Sequence, residues 1–182
     1  MAVVVGGVGY RNLRDHSVGL TVVDRLEGRL PAAEVVVEDL SYNPIAVVQW
    51  LEEISPRFAR AVLVAAVERP GRRPGAVTAY RWDGALPGPD EIQRAVGEAV
   101  TGVIALDNTL VVARHFGGLP DEVAVVEVEP VVHEFGEAFS PEVAAAFDGI
   151  CDLVASLACD AAAAGRLPRA PLGGILDPAA AR

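Results

Sequence analysis

Asp15, His16, Asp39 and Glu68 are the side chains best placed for chemistry, because each follows a short apolar run of strand length. In an α/β chain such positions lie on the carboxyl edge of the sheet, where ligands bind. An imidazole joined there by two carboxylates makes a His-plus-carboxylate metal site, so His16 with two of Asp15, Asp39 and Glu68 is one candidate centre. Each acid also has a plainer use, Asp15 as a helix cap and Asp39 and Glu68 as solvated loop acids. Gly7 and Gly9 form a second candidate, a glycine turn able to bring backbone close to a ligand. A dinucleotide fingerprint would need a third glycine where Asn12 stands, so nucleotide binding is the weakest of the readings.

The other reactive side chains point to structural roles. His115 falls near a helix end beside Arg114, where a cation suits the dipole. His133, in Pro130-Val131-Val132-His133-Glu134, reads as a surface loop histidine that is able to line a cleft. Cys151 and Cys159 are eight residues apart on one helical stretch, about 12 Å at the helical rise, too far for a disulfide. Both read as small residues at buried helix positions. Arg69, Arg72 and Arg73 form a basic turn, solvated or set to orient a partner's carboxylate.

These residues are positioned by strand-length runs alternating with segments of helical period, which predicts an α/β fold. Strands are predicted over 2–5, 34–38, 61–67, 76–82 and 122–128. Helices are predicted over 17–28, from Asn43-Pro44 onward, over 90–99 and 107–116, and from Ser140-Pro141-Glu142 to about Gly165. The short link before the fourth strand predicts that it runs antiparallel to the third. The expected architecture is three-layer α/β/α, with a mostly parallel five-stranded sheet carrying one antiparallel strand. One domain over 1–165 is expected, followed by a mobile tail over 166–182, rich in proline and glycine without period.

Composition narrows the function classes. The 182 residues carry 15 basic and 25 acidic side chains, a net charge of −10, which argues against a nucleic-acid surface. All 15 basic residues are arginine, so Schiff-base and P-loop lysine chemistry lack their reagent. No apolar run reaches the roughly 20 residues of a spanning helix, and no basic segment followed by an apolar one succeeds Met1. A cytoplasmic protein without membrane contact is expected.

The stretch from Gly7 to Gly19 resembles the opening signature of the hydrogenase maturation endopeptidases, G-x-G-N-x-x-x-x-D-(D/E)-x-x-G, agreeing at Gly7, Gly9, Asp15 and Gly19. Further likeness lies in Pro74-Gly75-Ala76-Val77, Leu119-Pro120-Asp121-Glu122-Val123, Glu129-Pro130 with Gly136, and Ser140-Pro141-Glu142-Val143. The resemblance implies a twisted five-stranded sheet flanked by helices and a partner, the large-subunit precursor of a nickel-iron hydrogenase, whose C-terminal peptide is removed. It implies no resident cofactor beyond nickel, carried by the partner. Of the family's nickel-sensing residues, the first-loop acid corresponds to His16, the third-strand aspartate to Ala65 or Ala66, and the histidine to Thr101 or Gly102. Two functions are therefore expected to compete, a peptidase with a changed site and a non-catalytic assembly or chaperone-like binding protein on the same scaffold.

Overall fold

The structure, a computed structural model, describes residues 2–54 and 57–174. The sheet strands are β1 (Val3–Val8), β2 (Val35–Asp39), β3 (Arg60–Ala66), β4 (Val77–Trp82), β5 (Glu122–Val128) and β6 (Arg169–Ala170), in the order β2-β1-β3-β5-β4-β6. The helices are α1 (Val18–Leu26), α2 (Pro44–Glu53), α3 (Pro89–Val100), α4 (Leu106–His115), α5 (Pro141–Cys159) and α6 (Ala161–Arg166). Among the described residues no helix is long and apolar enough to cross a membrane.

Strands β1, β3 and β5 are adjacent and parallel, with Val4 beside Ala61 and Ala61 beside Val123. Each carries apolar residues on both faces, as a strand buried between two helix layers must. Val3, Val5, Val62, Val64, Ala124 and Val126 face α1 and α5, whose Val18, Val22, Val143, Ile150 and Val154 complete that core. Val4, Ala61, Leu63, Val123 and Val125 face α2, α3 and α4 through Val47, Leu51, Ala95, Ala99, Leu106 and Leu110. The result is a three-layer α/β/α fold.

Local signals set several boundaries. Asn43 caps α2 by accepting from the Ile45 amide at 2.8 Å, and Ser140 caps α5 by accepting from Val143. Strand β1 outruns the predicted 2–5 because Gly6 and Gly7 continue it: a Cβ on Gly6 would lie 2.8 Å from the Leu63 side chain, and one on Gly7 2.8 Å from that of Val23. The helix after Ser140 stops at Cys159 instead of reaching Gly165, because Asp160 turns its carboxylate to the Ala162 amide, 2.8 Å away, and starts α6. Cys151 is buried there, but Cys159 is exposed, unlike the buried position expected of it.

Two further expectations are corrected by pairing. Strand β4 does run antiparallel, but its partner is β5, with Val77 opposite Val128, and β5 separates it from β3. The segment expected to be a tail adds a sixth strand instead, Arg169 and Ala170 beside Arg81 and Trp82; the rest of that expectation, over 175–182, lies outside the described residues.

Two buried carboxylates hold the carboxyl-edge loops. Asp15 sits in a 3-10 turn (Arg14–Ser17) before α1, is fully buried, and does not cap the helix. It accepts from the backbone amides of Val131, Val132 and Ser140 at 2.9, 3.1 and 2.7 Å, which ties the β5–α5 loop to the β1–α1 loop. Leu13 bridges Gly136, and the Arg14 amide donates to the Gly136 carbonyl at 2.9 Å, extending the seam. The second carboxylate is Glu127, wholly buried in β5. It receives Arg69 at 2.7 Å, Arg72 at 2.5 Å and the Tyr80 hydroxyl at 2.8 Å. The arginine turn is therefore largely internal, not solvated: a carboxylate without water requires opposite charge, and Arg69 and Arg72 supply it.

Replacing either carboxylate should be costly. Burial pushes the Asp15 carboxyl up, but the Ser140, Val131 and Val132 amides outweigh this and hold it below the usual range. Its contribution is thus fully present above the unfolded pKa and is lost as pH falls through the lowered folded one. Asp15→Ala, which takes the shared acceptor from three backbone amides, one of them buried, is expected to lower stability by about 3 kcal/mol and flatten the acid limb of the stability profile, read by urea denaturation between pH 3 and 7. Glu127→Gln leaves Arg72 without a carboxylate partner and Arg69 with Asp107 alone, and is expected to cost about 3 kcal/mol in the same assay.

Candidate functional site

The order of the central strands brings three loops together, those after β1, β3 and β5. They contribute His16, Glu68 and His133 respectively. One donor atom from each of the three lies within 4.8 Å of the others, a grouping able to hold a metal ion. His16 and His133 have ring centroids 4.3 Å apart with planes tilted by 54°, and His16 Nε2 is 3.9 Å from Glu68 Oε1. The two rings meet because the Asp15 amide bonds and the Leu13–Gly136 bridge clamp their loops together.

The His16 side chain is only 15% exposed, whereas Glu68 and His133 are open to solvent. Burial lowers the affinity of the His16 imidazole for a proton, and nearby His133 lowers it further; Glu68 and Asp15 only partly offset this. At neutral pH the ring is therefore mostly neutral, the state in which an imidazole nitrogen offers its lone pair. At 3.9 Å from Glu68 and without a positive charge, the contact is neither a hydrogen bond nor a strong ion pair.

Glu68 is held from behind. Its neighbour Arg69 donates its backbone amide to Glu129 at 2.9 Å and forks its guanidinium onto Asp107 at 2.7 and 2.8 Å as well as Glu127. A guanidinium bound in this bidentate way fixes the chain direction at residue 69 and with it the reach of residue 68. Two residues of the first loop, Asn12 and Arg14, have left-handed backbone with φ of 59° and 44°. Such conformations persist where surrounding contacts over-determine them, here the Gly136 amide on the Asn12 carbonyl and the Arg14 Nε on the Ala138 carbonyl, both at 2.9 Å.

The remaining candidates are engaged elsewhere. Both Asp15 oxygens are occupied by backbone amides. Asp39 accepts from Arg11 at 2.8 Å and from the Ser41 hydroxyl and amide; burial raises its carboxyl, but Ser41 and Arg11 together hold it below the usual range. Arg11 also forks onto Asp24, so Asp39 belongs to a separate surface cluster. Gly7 lets α1 approach the sheet, since a Cβ there would meet the Gly19 carbonyl, and a Cβ on Gly9, whose φ is +155°, would strike the His16 carbonyl. Gly19 completes this contact: its own Cβ would meet the carbonyls of Val8 and Val64. These glycines have packing duties that shape the His16 loop from below.

His133 is the residue that sequence reasoning set aside. Its one visible signal was position, on a loop directly after a strand whose carboxyl end shares an edge with those of β1 and β3. That signal becomes specific only once β5 is known to lie beside β3. Ala65 is buried among apolar side chains, and Thr101 and Gly102 are exposed at the end of α3.

No protein-family model matches this chain, and no curated protein matches it. Solved structures do. A hydrogenase 2 maturation peptidase from a Thaumarchaeota archaeon is 26% identical, with a TM-score of 0.58 over 85% of this chain and 95% of that one. The hydrogenase maturating endopeptidase HybD from E. coli is 22% identical, with a TM-score of 0.58 over 86% and 92% of the two chains. The endopeptidase HycI from Escherichia coli is 15% identical, with a TM-score of 0.62 over 96% and 100%. In sheet, helix layers and extent, this chain has the fold of the hydrogenase maturation endopeptidases.

Proposed function

We propose that this protein acts in hydrogenase maturation, recognising the large-subunit precursor of a nickel-iron hydrogenase at the carboxyl edge of its sheet. The observation that carries the reading is the likeness to the archaeal maturation peptidase, 26% identical over nearly its whole length. The signature glycines support it, since Gly7, Gly9 and Gly19 do the packing that builds the first loop. The partner is a protein chain, and nickel reaches the site as the partner's cargo.

Two outcomes for the partner follow from the donor set. As a peptidase, the protein removes the C-terminal peptide of the precursor with His16 in place of an acid. As a non-catalytic assembly protein, it holds the precursor without cutting it. The alanines at the strand end where the resemblance calls for an aspartate, Ala65 buried and Ala66 partly buried among apolar side chains, favour the second.

Co-expression with the large-subunit precursor of the same organism's hydrogenase, followed by affinity capture and intact-mass measurement, tests both. Capture of a precursor shortened by its C-terminal peptide establishes the peptidase. Capture of a full-length precursor that stays uncut when nickel is supplied establishes the assembly role. The absence of both capture and shortening would overturn the proposal.

A further inference from the structure

Nickel arriving with a partner does not account for the state of His16. Its Nε2 is buried and has no hydrogen-bond partner, and the nearest acid oxygen, on Glu68, is 3.9 Å away. Buried polar atoms are nearly always paired, so an orphan nitrogen aimed at a carboxylate and a second imidazole points to a missing group between them. The three donor atoms lie within 4.8 Å of one another, the spacing expected of ligands around one small ion.

We propose that His16, Glu68 and His133 bind one divalent transition ion, of the zinc and nickel class, in the free protein. The donor chemistry sets the class. Two imidazole nitrogens and one carboxylate suit borderline ions, whereas magnesium and calcium favour oxygen-only shells. Three protein donors leave coordination positions open, and the exposure of Glu68 and His133 turns those positions toward solvent. A water or a carboxylate or imidazole from an approaching chain completes the shell.

The scaffold behind these donors is set before any ion arrives. The Tyr10 amide donates to the His16 carbonyl at 3.2 Å, Asp15 fixes the backbone on either side of His133's loop, and Arg69 anchors Glu68. The ion therefore has little backbone to order, and its release is not expected to unfold the protein. This inference is independent of the maturation role, in which nickel travels with the partner; its failure would leave that role standing, and failure to capture a precursor would leave the metal site standing.

The test uses the full, untagged chain after chelator treatment and dialysis. Titration calorimetry with Zn²⁺ and separately with Ni²⁺ is expected to show one ion per chain, and Co²⁺ is expected to give a visible d–d absorption that Zn²⁺ abolishes. His133→Ala and Glu68→Gln alter exposed side chains and should fold normally by circular dichroism. Each is expected to weaken Zn²⁺ binding by at least about tenfold and to diminish the Co²⁺ band, while His115→Ala, on the exposed end of α4, leaves both unchanged. Absence of stoichiometric binding by the wild-type protein would overturn the site. So would binding that persists at full strength in both His133→Ala and Glu68→Gln.

Discussion

A single buried carboxylate organises the working edge of this molecule. Asp15 accepts three backbone amides from residues 116 to 125 positions further along the chain. The donors are main-chain groups, so the bond pattern constrains the path of the β5–α5 loop and leaves its side chains free. What the clamp dictates is that residues 131 and 132 run beside the turn containing His16, which puts residue 133 against the imidazole. Without it, the two loops would be joined only by the backbone bonds around Gly136, and the entropic cost of ordering residues 131–140 would go largely unmet. The left-handed residues Asn12 and Arg14 are part of the same bargain: local strain is tolerated where a dense set of longer-range hydrogen bonds over-determines the loop.

Glu127 performs a comparable task one strand away by different physics. Its charge lies inside the sheet, so the cluster of Arg69, Arg72 and Tyr80 offsets a desolvation cost before it adds any stability. The outcome is directional more than energetic. Arg69 can reach both Glu127 and Asp107 only if the β3–β4 loop folds back over the end of β5, and that path delivers Glu68 to the mouth of the site. Arg72 reaches the Gly173 carbonyl at 2.5 Å, and the Gly173 amide donates to the Tyr80 hydroxyl at 3.2 Å. The C-terminal segment is thereby laid against β4 by the same cluster that orients Glu68.

The parts legible in the sequence are those decided locally. The helices after Asn43-Pro44 and Ser140-Pro141 begin where their caps predict, and the valine runs of β3 and β5 announce strands buried on both sides. Pairing is another matter, because nothing near residues 76–82 records that β5 inserts between β3 and β4. Polar residues were hardest. Asp15 has the spacing of a helix cap, yet its partners lie more than a hundred residues away. Arg69 and Arg72 look like a solvated turn until Glu127, an acid in a valine-rich strand, is seen to need them. The place of His16 and Glu68 at the strand ends was legible, but that of His133 required the spatial order of the sheet.

This division of labour separates what holds the edge from what faces outward at it. The loops after β1, β3 and β5 are held by groups that do not themselves face the site: Asp15, the glycines under α1, and the Arg69 fork. The site donors are outermost, with Glu68 and His133 exposed and His16 reached from one side. Exchange of an outer donor perturbs neither the clamp nor the core, whereas exchange of Asp15 or Gly19 would disturb the backbone path of every loop that carries a donor. Fold likeness to the maturation endopeptidases is therefore compatible with the donor set proposed at this edge. The buried supports set where each loop runs, and the side chains it presents at the edge can differ without changing that path.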